Sequence, residues 1–320
     1  YSSRRQRQMC IRDSVGAGIS GLYLANELNK NTEIDYKIFE KKDYLNLNEG
    51  YGIQLSVNSI NLLNKIGFKN ISASDVYYPT KVNFFQANNI KKICEIDLKQ
   101  FNNVNDRYTT LKRSTLIKFL IGNIPEEKIQ FKADIQNIEY NEKIKISWNN
   151  KNESFDYIVI ADGVFSKLKS QISNNHLNPI FNGNIALRAN LKQHEKDNIS
   201  VYMGSNFHYV TYPVNQKLEY NFVAIIKKKL TTKEIEDKNI LNSETFIKSL
   251  KDLISKNSII NLENLVNLKC FPVFVSTELP SLKYQNTFLS GDALFAFPPS
   301  FAQGASQSIE TANGILENIT

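Results

Sequence analysis

Apolar residues change their spacing several times along the chain, and each change predicts an element. After Val15-Gly-Ala-Gly-Ile-Ser-Gly21, the residues Leu22, Ala25 and Leu28 recur at helical spacing, so a glycine turn opens a helix. The short apolar run Tyr36-Lys-Ile-Phe39 ends at Glu40 and predicts a second parallel strand. Ile60, Leu62, Leu63 and Ile66 mark another helix, closed by Gly67. Val76 to Ile96 alternates as two or three strands with a turn at Asn88-Asn89. Strand-like Tyr108 to Leu111 leads into an amphipathic helix, Arg113 to Leu120. Two strands, Ile135 to Tyr140 and Lys143 to Trp148, precede Phe155 to Ala161, a continuous apolar run of the kind buried in a parallel sheet. From about Pro179 the period becomes two: strands at Asn184 to Leu191, Val201 to Gly204, His208 to Pro213 and Tyr220 to Lys227, then helices within Thr232 to Lys256. A last strand, Asn286 to Ser290, stops at Gly291-Asp292, and a helix starts near Gly304. No internal repeat is evident.

The glycine turn carries the first chemistry. Gly16 permits a tight turn, Gly18 lets backbone approach a pyrophosphate, and Gly21 lets helix and strand pack closely, with the helix N-terminus facing phosphate charge. Glu40 stands at the end of the second strand, where a carboxylate accepts hydrogen bonds from an adenosine ribose and repels a 2′-phosphate. Only 13 glycines occur, and seven of them (Gly16, Gly18, Gly21, Gly52, Gly163, Gly291, Gly304) fall at these strand ends and turns. In a glycine-poor chain that pattern points to close ligand approach or positive φ, although turns alone also use glycine. One element breaks the pattern. Before Val15 an apolar strand is required, and Arg12-Asp-Ser14 puts three polar residues there, which predicts a compromised first strand.

Composition adjusts this picture. The 320 residues are 42% hydrophobic and 22% charged, enough for one large or two ordinary cores. Mean hydropathy is −0.35 and no apolar run approaches the roughly 18 residues of a membrane span, so a soluble chain with no integral membrane segment is expected. Cys10, Cys94 and Cys270 lie far apart, without zinc or disulfide spacing, which fits a reducing cytoplasm and no metal site. Four of the seven arginines sit in the first twelve residues, in a segment with no Asn or Lys and a single Ile, unlike the Asn-, Lys- and Ile-rich remainder. Residues 1–14 therefore read as non-native. Without that segment the net charge falls from +7 to +4, carried by lysines scattered along the chain with no run longer than Lys227 to Lys229, which argues against a nucleic-acid partner.

Three motifs in order now stand out: Gly16-Ala-Gly-Ile-Ser-Gly21 with Glu40; Ile160-Ala-Asp-Gly163 with Ser166; and Gly291-Asp-Ala293 running through Pro299 to Gln303-Gly-Ala-Ser-Gln307. Weaker echoes accompany them at Gly52-Ile-Gln-Leu55, Arg113-Ser-Thr-Leu116, Ala186-Leu-Arg188 and Val210-Thr-Tyr-Pro-Val214. Together they resemble the single-component FAD-dependent aromatic hydroxylases, flavoprotein monooxygenases of the para-hydroxybenzoate and salicylate hydroxylase type. The resemblance implies an α/β fold: a Rossmann-like FAD-binding domain, with a parallel sheet, crossover helices and a β-meander, and an inserted α+β substrate domain on an antiparallel sheet. Residues 15–75, 100–178 and 279–320 would form the first domain, residues 76–99 and 179–278 the second, with the family's C-terminal part expected to be missing.

It further implies bound FAD, held by Gly16, Ala17, Gly18, Ser20, Gly21, Glu40, Lys41, Arg113, Asp162, Gly163, Gly291, Asp292, Pro299, Gly304 and Ala305. NADH or NADPH would visit transiently, and O₂ would yield a flavin C4a-hydroperoxide that hydroxylates a small phenolic or aromatic-acid substrate. Arg188, His208, Tyr212, Phe295 and Phe297 are candidates for the substrate pocket. For each, an ordinary core or surface role stays open, and no catalytic base is named. The chain departs from the family at Phe295, Ala302 and Lys169, where histidine, glycine and arginine are frequent. Alternatives are a same-fold flavin oxidoreductase on a more apolar substrate, of the ubiquinone-ring hydroxylase or epoxidase type, and a catalytically silent FAD-binding protein. The expected assembly is a monomer or homodimer.

Overall fold

The computed structural model describes residues 12–30, 34–47, 50–175, 177–191, 197–217 and 219–319. Expectations on residues 1–11, Cys10 among them, lie outside them.

Five parallel strands form the central sheet, in the order Thr287–Leu289, Tyr157–Ile160, Arg12–Val15, Tyr36–Phe39, Ile129–Gln130. The middle strand is the one expected to be compromised, and it pairs on both edges, Val15 standing opposite Ile160 and Phe39. Backbone groups make the ladder, so polar side chains do not prevent it. The cost moves to a side chain instead: Ser14 is 3% exposed and its Oγ has no hydrogen-bond partner.

The helix Ile19–Leu28 follows the glycine turn and buries Leu22, Leu24 and Leu28 against Leu116 and Leu120 of the helix Arg113–Gly122 and Ile309 and Ala312 of the helix Gly304–Ile319. Two glycines are obligatory here. Gly16 has φ +108°, and a Cβ on Gly21 would fall 2.1 Å from the Gly16 carbonyl oxygen.

The run Phe155 to Ala161 is two strands rather than one. Lys151–Phe155 closes an antiparallel meander with Ile144–Trp148 and Asn137–Tyr140, whereas Tyr157–Ile160 enters the parallel sheet. The switch falls at Asp156, whose carboxylate pairs with Lys143 at 3.0 Å. Trp148 packs on Phe39, ring centroids 4.8 Å apart, and so fixes the meander to the parallel sheet.

A seven-stranded sheet forms the second body, in the order Leu265–Val275, Ile180–Leu191, Tyr220–Lys227, Phe207–Pro213, Ile199–Met203, Lys81–Gln86, Lys92–Asp97. One pair, Ile199–Met203 with Lys81–Gln86, is parallel and the others are antiparallel. The face carrying Leu187, Ala189, Phe222 and Ala224 is covered by the helix Glu244–Ser255 through Phe246, Leu250 and Ile254. Val76–Tyr77, assigned by sequence to this body, pairs instead with Thr109–Lys112 in a small sheet that also holds Gly52–Leu55. That small sheet joins the bodies: the Gly52 amide donates to Asn221 Oδ1 at 2.7 Å, and Thr110 Oγ1 donates to the Pro213 carbonyl at 2.6 Å. The α/β class with a parallel sheet and a large, mostly antiparallel one is thus the observed one. No helix among the described residues is long and apolar enough to cross a membrane.

The orphaned hydroxyl gives a test. Ser14→Ala removes a buried donor that meets nothing, so urea unfolding should shift to greater stability by about 1 kcal/mol; an unchanged or lower midpoint would show that Ser14 is hydrogen-bonded.

Candidate functional site

A groove of about 800 Å³ opens where the parallel strands end. It is lined by Gly16, Ala17, Gly18, Ser20, Glu40, Lys41, Arg113, Asp162, Gly163, Gly291, Asp292, Gly304 and Ala305 among the expected cofactor positions. Gly21 and Pro299 do not line it. Gly21 serves packing inside the turn. Of the substrate candidates only Arg188 reaches the groove. Tyr212, 2% exposed, is enclosed with Leu98, Ile199 and Val214, and bonds to Gln54. His208 is half-buried between Met203 and Ile225 in the sheet, and burial pushes its imidazole pKa down. Phe295 and Phe297 pack on each other, centroids 4.8 Å apart.

Local folding sets each group. Glu40 ends its strand 8% exposed, with Oε2 accepting from the Ala17 amide at 2.9 Å and Oε1 from the Lys42 amide at 3.0 Å. It therefore holds the glycine turn in place, a role that motif spacing does not reveal. Ser20 Oγ bonds Ser290 Oγ and donates to the Ser308 carbonyl at 2.9 Å, while the Gly291 amide donates to Thr311 Oγ1 at 3.0 Å. These hydroxyls join the turn, the Gly291-Asp292 corner and the last helix. Sequence reasoning also missed Lys42, Ile53, Phe165 and the segment Ala133 to Ile135 as lining residues. Phe165 was within reach, inside the second motif. Ala133 to Ile135 was not, because the strand before it, Ile129–Gln130, has two residues.

Electrostatically the groove is poised for a charged ligand. The helix Ile19–Leu28 starts at Gly18 with no side-chain cap and no acid in its first turn, so its first N–H groups are left for an anion. A Cβ on Gly18 would point into open space, with one contact, the Ala161 oxygen at 4.0 Å. Asp162 Oδ1 is buried without a partner, while Ser166 bonds the carboxylate. Burial pushes the Asp162 carboxyl above its usual range, against the pull of Lys41 and Lys169. Lys169, 4% exposed, is pushed down by the same burial. Asp292 opens onto the groove yet stands deep between its walls, and burial there raises its carboxyl, with Arg113 drawing it back. Bare helix amides, a glycine cradle and an orphaned carboxylate oxygen fit a dinucleotide with a central diphosphate.

No family model matches the chain. In sequence it is 22% identical to the salicylate hydroxylase of Pseudomonas putida, over 93% of this chain and 74% of that enzyme. It is 24% identical to an FAD-dependent monooxygenase of Gibberella zeae, over 49% of this chain and 35% of that protein. The match thus spans about a third of the length of that second relative. In structure it is similar to 2,6-dihydroxypyridine-3-hydroxylase from Arthrobacter nicotinovorans, TM-score 0.82 at 15% identity, over 97% of this chain and 83% of that one. HpxO of Klebsiella pneumoniae, complexed with FAD and uric acid, gives a TM-score of 0.78 at 16% identity, over 97% of this chain and 80% of that one. The chain has the fold of the FAD-dependent aromatic hydroxylases.

Within that fold the departures acquire a structural meaning. Ala302, where hydroxylases of this type often have glycine, lies at φ +54°, a left-handed conformation that costs a non-glycine residue roughly 1 kcal/mol. Lys169 keeps the positive charge near Asp162 without the forked donors of an arginine.

Because the folded protein holds the Asp162 carboxyl above 3.8, its proton is favoured in the fold. Its contribution is therefore fully present below that value and is lost as pH rises through the folded pKa. In ligand-free protein Asp162→Asn should melt higher than wild type at pH 7, with the difference closing towards pH 3.5; a gap that widens in acid would contradict the assignment.

Proposed function

We propose that the chain is an FAD-dependent monooxygenase that uses NADH or NADPH and O₂ to hydroxylate a small aromatic substrate. One observation carries this reading: three segments far apart in sequence, around Gly18, Asp162 and Asp292, line one groove with Glu40 and Gly304. When bound, FAD would supply electron transfer from the nicotinamide donor and oxygen activation.

The chain's own residues supply position and surroundings. Backbone N–H groups at Gly18 to Ser20 would meet the diphosphate, where no side chain competes for them. Glu40 would accept from the adenosine ribose with lone pairs left over after holding Ala17 and Lys42. Asp292 and Arg113 flank the groove with opposite charges and would orient the polar chain between diphosphate and ring. Ile53, Ile117 and Ala305 present apolar surface that would exclude water from the reacting end. A second reading, action on a more apolar substrate, draws on Phe165, which lines the groove, is 62% exposed and packs edge-on against Phe274.

Purified protein should be yellow and should oxidise NADH or NADPH faster when a phenolic acid is added. Stimulation by long-chain quinones alone would favour the second reading, and yellow protein with no donor oxidation would sink both. Gly18→Val should lower FAD affinity at least about tenfold while leaving the melting of ligand-free protein unchanged, because the new side chain enters open groove; undiminished flavin content in this variant would refute the cradle.

A further inference from the structure

The seven-stranded sheet ends on the strand Leu265–Val275, which pairs on one side, with Ile180–Leu191. Its 11 residues make it long for an outer strand, and such an edge presents a row of N–H and C=O groups on which another chain can build. Here the row is interrupted at three places. Tyr51 Oη donates to the Asn267 carbonyl at 2.8 Å, and Asn267 itself takes φ +56°, where the pairing slips between Arg188 and Asn190. Pro272 has no N–H to offer. Between them stands Asn242. The Cys270 amide donates to its Oδ1 at 2.8 Å, and its Nδ2 donates back to the Cys270 carbonyl at 3.3 Å.

A residue of a neighbouring antiparallel strand would exchange just these two bonds with Cys270. The carboxamide can replace it because it carries donor and acceptor side by side, as a peptide group does. Asn242 is delivered to the edge by the short helix Lys238–Leu241, whose Leu241 is fully buried in the core under the sheet, and Nδ2 is steadied by the Lys238 carbonyl at 2.9 Å. The opposite edge, Lys92–Asp97, is guarded by other means: exposed Lys92 and Glu95, and a register break beside Phe84 and Phe85.

We propose that Asn242 is a strand surrogate that closes this edge, and that the partner it holds off is a second copy of this chain, adding antiparallel through the same strand. A two-fold axis at Cys270 would let the two Cys270 residues exchange the bonds that Asn242 now makes. It would also set Lys269 across from Phe271 of the other copy, a cation against a 41% exposed aromatic ring, with no like charges opposed. The proposal is independent of the flavin reading.

Sedimentation equilibrium over a range of protein concentrations tests it, with amide hydrogen exchange and melting measured alongside. Wild type should keep one mass. Asn242→Ala loses both bonds and lets the connection between the helices lift from the edge, so its mass should rise with concentration and its Cys270 amide should exchange at least about tenfold faster. Adding Phe271→Lys should restore a single mass, because the two-fold pairing would then oppose like charges. An Asn242→Ala variant that melts lower but keeps one mass would make Asn242 an ordinary structural contact and overturn the proposal. Association that Phe271→Lys leaves untouched would overturn it too, by placing the contact elsewhere.

Discussion

The groove depends on two backbone segments coming closer than side chains allow. Gly16 turns the chain against the carbonyl of Ala161, where a Cβ would sit 2.5 Å from the oxygen, and Gly21 brings the following helix onto Gly16. This contact puts the end of the first strand beside the end of Tyr157–Ile160, and with it the glycine turn beside Asp162. Glu40 then pins the turn from the other neighbouring strand, and the Ser20–Ser290 bond brings in the last motif from 270 residues away. Parallel pairing alone would align the strands. The glycines and these side-chain bonds make their ends converge on one ligand-sized space.

Much of this was legible because the features that build the groove are local exceptions to ordinary sequence. Glycines in a glycine-poor chain, an acid closing an apolar strand, and Asp162-Gly163 and Gly291-Asp292 after two strands each announce themselves within a few residues. The strand Tyr36–Phe39 has the expected ends for the same reason: apolar residues run out abruptly at Glu40. What stayed hidden depends on partners distant in sequence. Whether Tyr212 faces the groove or a buried cluster is decided by Leu98 and Val214 packing on it, and nothing in its own strand's alternation says so. The first strand was misjudged because side-chain polarity was read as pairing competence, whereas Arg12–Val15 has strand neighbours on both edges that satisfy its backbone whatever the side chains are.

Unsatisfied groups in this molecule differ in kind. Ser14, Tyr36, Ser173 and Ser200 each leave a neutral hydroxyl oxygen unpaired, a tolerable cost spread through the cores. Asp162 alone among these groups is a carboxylate, and it lines the groove. Arg188 lines the same groove with an aromatic ring as its neighbour and, among the described residues, no acid paired to it. A carboxylate oxygen buried without a hydrogen bond costs more than an unpaired hydroxyl, and at Asp162 that cost is partly offset by Ser166, Lys41 and Lys169 around the same carboxylate.

The register of the large sheet decides that Arg188 reaches the groove at all. Leu187 and Ala189, its neighbours along the strand, point into the core covered by the helix Glu244–Ser255, and Cys270 opposite Leu187 does the same. Side chains alternate between faces, so a slip of one residue would drive Arg188 under that helix and turn Leu187 towards the groove. The apolar set Ile185, Leu187, Ala189 and Leu191 therefore does two things at once. It supplies the buried area that holds the helix layer to the sheet, and by occupying every second position it forces the charge at 188 onto the opposite face, where a ligand can meet it.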